Sequence, residues 1–165
     1  MQQTDRTDSI EIKEIQFANS EFIPEIVKLL NEGHTVTLRL KGFSMRPFLE
    51  NGRDKALITK AQDIRIGDAV LAEIEPKHYV IHRVVKIKRD QITLKGDGNL
   101  AVEHCSRNDI KGFVIGFYRK GRTRIDKTNG IKWRLYSYVW MALSPFRRYL
   151  LGFYRHIWIR VFGPV

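Results

Sequence analysis

The apolar residues at the start of the chain first follow a helical period and then a strand period. Five of them would share one face of a helix through residues 21–31: Phe22, Ile23, Ile26, Leu29 and Leu30. This spacing predicts a short amphipathic helix, with Asn19 or Ser20 as its cap and Gly33 at its end. Residues 1–18 have no such period, and we expect them to be loosely ordered.

A series of short strands is predicted after the helix. Val36, Leu38 and Leu40 alternate with polar residues, which indicates a half-buried strand. Turn signals such as Asn51-Gly52 separate the strand-like runs that follow. These runs are residues 55–60, 68–74, 78–88, 91–95 and 112–119. Strands at this spacing predict a mainly β fold, an antiparallel sheet folded into a sandwich or partial barrel.

The chain becomes aromatic and basic after Gly121. Two runs with helical spacing, within residues 131–143 and 149–162, mix Trp and Tyr with Lys and Arg. Neither contains the ~20 uninterrupted apolar residues that cross a bilayer. Because this mixture is typical of helices that lie in a membrane interface, we expect membrane-surface contact through residues 131–163. The alternative is a pair of helices packed on the protein's own sheet, with the bases on a solvated face.

Charge separates the same two regions. The formal net charge is +11, and residues 119–165 carry eleven Lys or Arg and one acid, Asp126. The rest of the chain is balanced, with eighteen bases and seventeen acids. We therefore divide the chain into an N-terminal segment with a short helix (1–33), a β core (34–120) and a basic aromatic helical tail (121–165). The polar N-terminus predicts neither a signal peptide nor an N-terminal membrane helix, and we expect the protein on the cytoplasmic side of a membrane.

The segment Gly42-Phe43-Ser44-Met45-Arg46-Pro47 is the first candidate for chemistry. A serine hydroxyl becomes a nucleophile when a neighbouring base takes its proton, and N–H groups must hold the oxyanion that forms. Ser44 follows a predicted strand and is flanked by Gly42 and Pro47, which suits an exposed turn. By itself, a Gly-x-Ser-x-x-Pro stretch is more often a plain turn.

Later segments could supply the base and its carboxylate. His82 lies within the apolar run 78–88, although a buried histidine commonly only satisfies a hydrogen bond. The polar turn 95–99 carries Asp97, and Glu103 follows six residues later. Either carboxylate could orient an imidazole.

In this order, the segments resemble the signal peptidases of clan S24/S26. The matching motifs within residues 35–118 are Gly-x-Ser-Met-x-Pro at Gly42–Pro47, Gly67-Asp68, the base-bearing strand Ile81–Val85 and Lys-Gly-Asp-x-Asn at Lys95–Asn99. His82-Arg83-Val84 is similar to the branch that uses a histidine base, as archaeal and endoplasmic-reticulum enzymes do.

The resemblance implies a serine endopeptidase that cleaves signal or leader peptides or precursor proteins, with small residues before the cut. Ser44 would be the nucleophile and His82 the general base. Glu103 or Asp97 would orient the imidazole, and Asp109 is a weaker third candidate.

Other parts of the expected site surround the serine. Backbone N–H groups at Gly42, Ser44 and Met45 would bind the oxyanion, because a glycine at position 42 has no side-chain donor. Met45 and Phe48 could line the peptide groove or belong to the core. The chain departs from the family pattern in the spacing of Gly52-Arg53-Asp54 and in lacking an N-terminal membrane helix.

Three rival interpretations stay open or are disfavoured by the residues. A catalytically inactive peptidase-like binding module would have the same motifs. A nucleic-acid-binding protein would use the basic aromatic tail for phosphate contacts and base stacking. A metal site is not expected, because Cys105 is the only cysteine and His78 and His82 would lie roughly 13 Å apart along a strand. No cofactor is expected.

Overall fold

The computed structural model describes residues 19–61 and 63–165. Helix α1 is Asn19–Asn31. The strands are β1 Val36–Arg39, β2 Lys55–Lys60, β3 Ala69–Glu75, β4 His78–Lys88, β5 Gln91–Lys95, β6 Glu103–Ser106, β7 Ile110–Tyr118 and β8 Ile125–Lys127. The tail forms α2 Ile131–Ala142, α3 Arg147–Phe153, a π-helical turn Tyr154–Trp158 and α4 Ile159–Phe162. The predicted segment 1–18 lies outside the described residues.

The described strands form one antiparallel sheet. Its order is β1-β2-β7-β3-β4-β5-β6, and β8 also pairs with β7. Strand β7 has β2 on one side, and on the other it pairs first with β3 and then with β8. The prediction of a mainly β fold with a short N-terminal helix and a helical tail is confirmed.

Two strands were not predicted. β6 contains Glu, His, Cys and Ser, and β8 has three residues. Strands this short and polar offer too few positions for an alternating pattern to be visible. They are held by pairing with β5 and β7, which are the longer apolar neighbours.

The sheet is buried on both faces at β3. Ala69 and Leu71 belong to a hydrophobic cluster that includes the apolar face of α1. Val70 and Ala72 point the other way, as successive strand residues must, into a second cluster with residues of β4 and β5. β4, which carries His82, pairs with β3 along this buried stretch, where Val70 lies opposite His82.

One face of the tail packs on the core. The Trp133 side chain is 4 % exposed, and its ring lies 5.0 Å from the rings of both Phe48 and Phe117. Tyr136 stacks on Phe48 with ring centroids 4.4 Å apart. This face of the tail therefore packs on the protein's own core, as the alternative interpretation of the sequence expected. Within the described residues, no helix has the length and apolar character needed to cross a membrane.

Candidate active site

Ser44 lies on the turn that joins β1 to β2. The turn is closed at its end by Asp54, whose carboxylate accepts hydrogen bonds from the Glu50 N–H (2.8 Å), the Lys120 N–H (2.9 Å) and the Arg53 side chain (2.8 Å). Burial by itself would raise the pKa of Asp54, but these bonds outweigh burial and lower it. The buried carboxylate thus joins the Ser44 turn to β2 and to the end of β7.

The polar turn at residues 96–99 packs directly against the Ser44 turn. The Gly98 N–H donates to the Ser44 carbonyl oxygen at 2.7 Å. A Cβ atom at Gly98 would lie 2.6 Å from the Phe43 carbonyl oxygen, closer than real Cβ contacts allow. Glycine at this position therefore permits the approach of the two backbones.

His82 lies on β4, beside the point where β5 ends and the 96–99 turn begins. Its neighbour Arg83 pairs with Lys95, the last residue of β5. The imidazole is 2 % exposed, and its Nδ1 atom lies 2.5 Å from Oε2 of Glu103, at the start of β6. A neutral imidazole that donates from Nδ1 to this carboxylate presents Nε2 as a hydrogen-bond acceptor.

Ser44 and His82 line the same cleft. The cleft has a volume of about 580 Å³, and Glu103 and Asn99 also line it. A Cβ atom added to Gly96 would lie 2.5 Å from the Ser44 carbonyl oxygen and 3.0 Å from Nε2 of His82. The Ser44 backbone and the His82 ring therefore both lie next to Gly96. The Ser44 hydroxyl makes no hydrogen bond within residues 19–61 and 63–165. The cleft therefore holds a free hydroxyl and an oriented imidazole.

Asp97 pairs with a different side chain. Both its carboxylate and the Arg83 guanidinium are fully buried, and the two form hydrogen bonds of 2.9 and 2.7 Å. Burial would lower the pKa of Arg83, but the attraction of Asp97 outweighs it and raises that pKa. The structure thus places Glu103 against the imidazole and Asp97 in an adjacent ion pair.

The tail holds the 96–99 turn from the other side. The Trp140 indole N–H donates to the Asp97 carbonyl oxygen at 3.1 Å, and the Arg155 guanidinium donates to the Gly98 carbonyl oxygen at 2.8 Å. The Ser137 hydroxyl accepts a hydrogen bond from Arg83. These contacts connect the helical tail to the turn on which the Ser44 backbone rests.

The three expected oxyanion donors differ in their availability. The Gly42 N–H donates to Oδ1 of Asn51 at 2.9 Å, so it is already engaged. The N–H groups of Ser44 and Met45 have no acceptor in the described part of the chain. These two N–H groups can serve an oxyanion without breaking another bond.

The remaining candidates lie at or away from the cleft. Met45 lines the cleft, whereas Phe48 packs among the core aromatic rings. The Asp109 carboxylate accepts a hydrogen bond from the Ser106 N–H at 2.7 Å and does not contact His82. The described His, Cys, Asp and Glu side chains form no cluster of three or more that could hold a metal ion.

The sequence interpretation missed the contribution of Arg83, Trp140 and Arg155. Arg83 follows His82 directly, and a charged residue in an apolar strand is a signal that a buried partner exists. Trp140 and Arg155 carry no such signal, because their contacts with the turn span 43 and 57 residues of sequence.

Comparison with known proteins agrees with the motifs. A search of curated proteins finds no match. The profile described as Peptidase S24-like matches residues 6–113, which is well over half of the chain. The matched stretch contains Ser44, His82, Asp97 and Glu103. With this match, the chain belongs to the Peptidase S24-like family.

Proposed function

We propose that this protein is a serine endopeptidase in which Ser44 is the nucleophile, His82 the general base and Glu103 the group that orients the imidazole. The observation that carries the proposal is the shared cleft. There a free serine hydroxyl and an imidazole bonded to a carboxylate through Nδ1 line one cavity. Membership of a peptidase family supports the same reaction class.

The proposed reaction uses His82 twice. The Ser44 Oγ atom attacks the peptide carbonyl carbon while Nε2 of His82 takes the hydroxyl proton. The N–H groups of Ser44 and Met45 hold the oxyanion, each such donor being worth about 3 kcal/mol in the transition state. The C–N bond then breaks, and Nε2 returns the proton to the leaving amine. A water molecule, activated by the same nitrogen, hydrolyses the acyl-enzyme.

The proposed substrate is an extended segment of a leader peptide or precursor protein. Residues 78–82 of β4 pair with β3, whereas the pairing of β4 with β5 begins only at Arg83. Residues 78–82 also line the cleft. Their unpaired side can accept a peptide as an added strand that leads towards Ser44. We also propose that the precursor is met at a membrane surface, because the tail exposes large apolar side chains and carries eleven Lys or Arg from residue 119 onward.

The test combines cleavage with covalent labelling. Internally quenched peptides should be cleaved by the unmodified protein, and cleavage should fall to background in Ser44→Ala and His82→Ala. A fluorophosphonate probe should label the protein at Ser44. Burial, with a smaller contribution from Asp109 and Glu103, raises the pKa of the Cys105 thiol to about 11, so this thiol is protonated at neutral pH and should not compete for the probe.

The controls separate chemistry from folding. Both variants should keep the circular dichroism spectrum and thermal unfolding of the parent protein. Ser106→Ala serves as a matched serine control, because Ser106 is outside the cleft lining. Cleavage that persists in Ser44→Ala would refute the assignment. A folded protein that neither cleaves nor reacts with the probe would instead favour the inactive binding module.

A further inference from the structure

The helical tail has a second face whose apolar side chains are mostly exposed. On α2, Ile131, Leu135 and Tyr138 lie along one side and are 61 to 85 % exposed. The residues Trp133 and Ser137 on the other side are buried against the core. The two sets alternate with the helical period, so the exposed set is a continuous apolar stripe.

The same division continues in the following helices. Tyr149, Phe153 and Phe162 are 53 to 75 % exposed. Leu151 and Tyr154, between them in sequence, are buried. We use the name tail surface for six of the exposed residues on these elements: Ile131, Leu135, Tyr138, Tyr149, Phe153 and Phe162. Large aromatic and aliphatic side chains exposed in such number on neighbouring helices indicate an interaction site.

The charges next to the tail surface have one sign. Lys132, Arg134, Arg148 and Arg160 are exposed on the same helices. Asp126 is the only acid after residue 118; it is partly buried and pairs with Arg119 at 3.5 Å and with Lys132 at 3.4 Å, which leaves the three arginines without an acidic partner on the tail. A partner must therefore accept apolar side chains and also carry negative charge.

We propose that the tail surface docks on an anionic lipid bilayer, with its apolar side chains in the interface and its bases at the headgroups. A bilayer supplies both an apolar layer and negative headgroups. A second copy of the chain would bring the same positive charges into contact and repel. A nucleic acid would neutralise the Lys and Arg side chains but would leave the apolar stripe of α2 exposed to water. This proposal does not depend on peptidase activity, because lipid binding is measured without substrate.

The helices that carry the tail surface also contact the candidate site. The inner faces of the docking helices contact the 96–99 turn through Trp140 and Arg155. Gly98 of this turn donates a hydrogen bond to the Ser44 carbonyl oxygen. The surface that we propose to meet lipid and the turn that supports the nucleophile therefore belong to one connected group of residues.

Vesicle co-sedimentation of the full chain tests the proposal. Binding to phosphatidylcholine vesicles with about 30 % phosphatidylserine should be at least ~10-fold stronger than binding to phosphatidylcholine alone. It should weaken between about 0.05 and 0.5 M salt, because screening acts on the headgroup contacts. The triple variant Ile131→Ser/Tyr149→Ser/Phe162→Ser should lose at least ~30-fold in binding to anionic vesicles.

Matched variants exclude general effects of the substitutions. Arg148→Gln/Arg160→Gln should reduce binding to anionic vesicles by ~10-fold and leave binding to neutral vesicles unchanged. Ile66→Ser changes an apolar residue of the body that is 55 % exposed, and Lys86→Gln/Lys88→Gln removes two exposed bases of β4. Both controls should bind as the parent does. All variants are compared after thermal unfolding has shown that they are folded.

Several outcomes would overturn the proposal. These are no binding to anionic vesicles, unchanged binding by the triple variant, or an equal loss in the controls. Without vesicle binding, self-association that the triple variant abolishes would identify a second copy as the occupant. Salt-sensitive binding to nucleic acid without vesicle binding would identify a nucleic acid instead.

Discussion

The Arg83 guanidinium and the Asp97 carboxylate form a fully buried ion pair with two hydrogen bonds, of 2.9 and 2.7 Å. Arg83 follows His82 on β4, and Asp97 lies between the two glycines that contact the Ser44 turn. One ion pair therefore fixes the strand of the proposed base relative to the turn that supports the proposed nucleophile. This relationship gives the Lys-Gly-Asp motif a structural role at the edge of the site.

Replacing Asp97 should destabilise the fold. In Asp97→Asn, the Arg83 charge stays buried without its counter-ion, and breaking such a pair costs about 3–5 kcal/mol. The free energy of unfolding, measured in urea, should fall by that amount. The matched control is Asp90→Asn on the exposed β4–β5 turn, which should change it by less than about 0.5 kcal/mol. An Asp97→Asn protein as stable as the parent would contradict the role of the ion pair.

Replacing Glu103 should instead affect the reaction. Glu103→Gln keeps the shape of the side chain but removes the charge that faces Nδ1 of His82, so kcat should fall by about 10²–10⁴-fold. The Glu103 side chain is 30 % exposed, so the free energy of unfolding should change little. Steady-state kinetics beside urea unfolding separates the two carboxylates. Loss of kcat in a stable Asp97→Asn protein, together with an active Glu103→Gln, would reverse the assignments.

Much of the fold could be predicted because its longer elements carry their own periodicity. The apolar face of α1 and the alternation in β2 and β4 are properties of neighbouring residues, and those elements were predicted close to their observed bounds. β6 could not be predicted, since its four residues form a strand only through pairing with β5. Its first residue is Glu103, so the strand that carries the proposed orienting carboxylate was one of the two without a signal.

The candidate site could also be predicted only in part. The motifs identified Ser44, His82 and both carboxylates, but spacing alone left open which carboxylate faces the imidazole. That choice depends on the burial of Arg83, which takes Asp97 as its partner and leaves Glu103 for His82. Such a competition between buried charges is a property of the tertiary structure.

Acid should lower the stability of the Ser44 turn by protonating Asp54. The hydrogen bonds from Arg53, Glu50 and Lys120 outweigh burial and hold the pKa of Asp54 below its ordinary value of 3.8. The unfolded chain therefore binds a proton at higher pH than the native protein does. The Asp54 contribution is complete above the unfolded pKa and is lost as the pH falls through the lower, folded pKa.

The pH dependence of unfolding measures this contribution. The free energy of unfolding of the parent should fall below about pH 4. Asp54→Asn should be less stable than the parent at neutral pH, and the difference should shrink as the pH falls. Asp63→Asn, at an exposed position, should follow the parent. A difference that grows on acidification would have the wrong sign for a carboxyl group whose pKa is lowered by folding.

Arg155 should act as a positioning residue. Its guanidinium donates a hydrogen bond to the Gly98 carbonyl oxygen at 2.8 Å, and the Gly98 N–H donates one to the Ser44 carbonyl oxygen. Arg155→Gln should lower kcat by ~10-fold with little change in KM, because the turn loses its outer support while the cleft wall is kept. Arg155→Lys should recover part of the loss.

A matched tail variant makes the Arg155 result specific. Arg122→Gln removes an exposed base of the tail that does not line the cleft, and its kinetics should equal those of the parent. The assays contain no lipid, so membrane binding does not contribute. Equal losses in Arg122→Gln and Arg155→Gln would indicate a general charge effect and exclude the positioning role.

Adding one methyl group at Gly96 should disrupt the site by steric contact. Gly96 does not have a left-handed backbone conformation, but its Cβ atom would lie 2.5 Å from the Ser44 carbonyl oxygen and 3.0 Å from Nε2 of His82. One of these groups must move, and such displacements cost about 10²-fold in rate. Gly152→Ala in α3 is the control, because its Cβ would meet no atom within 4 Å and should stabilise the helix by about 0.5–1 kcal/mol. Peptide cleavage and urea unfolding of both variants test the prediction, and a fully active Gly96→Ala protein would show that Ser44 and His82 do not need the close contact around this glycine.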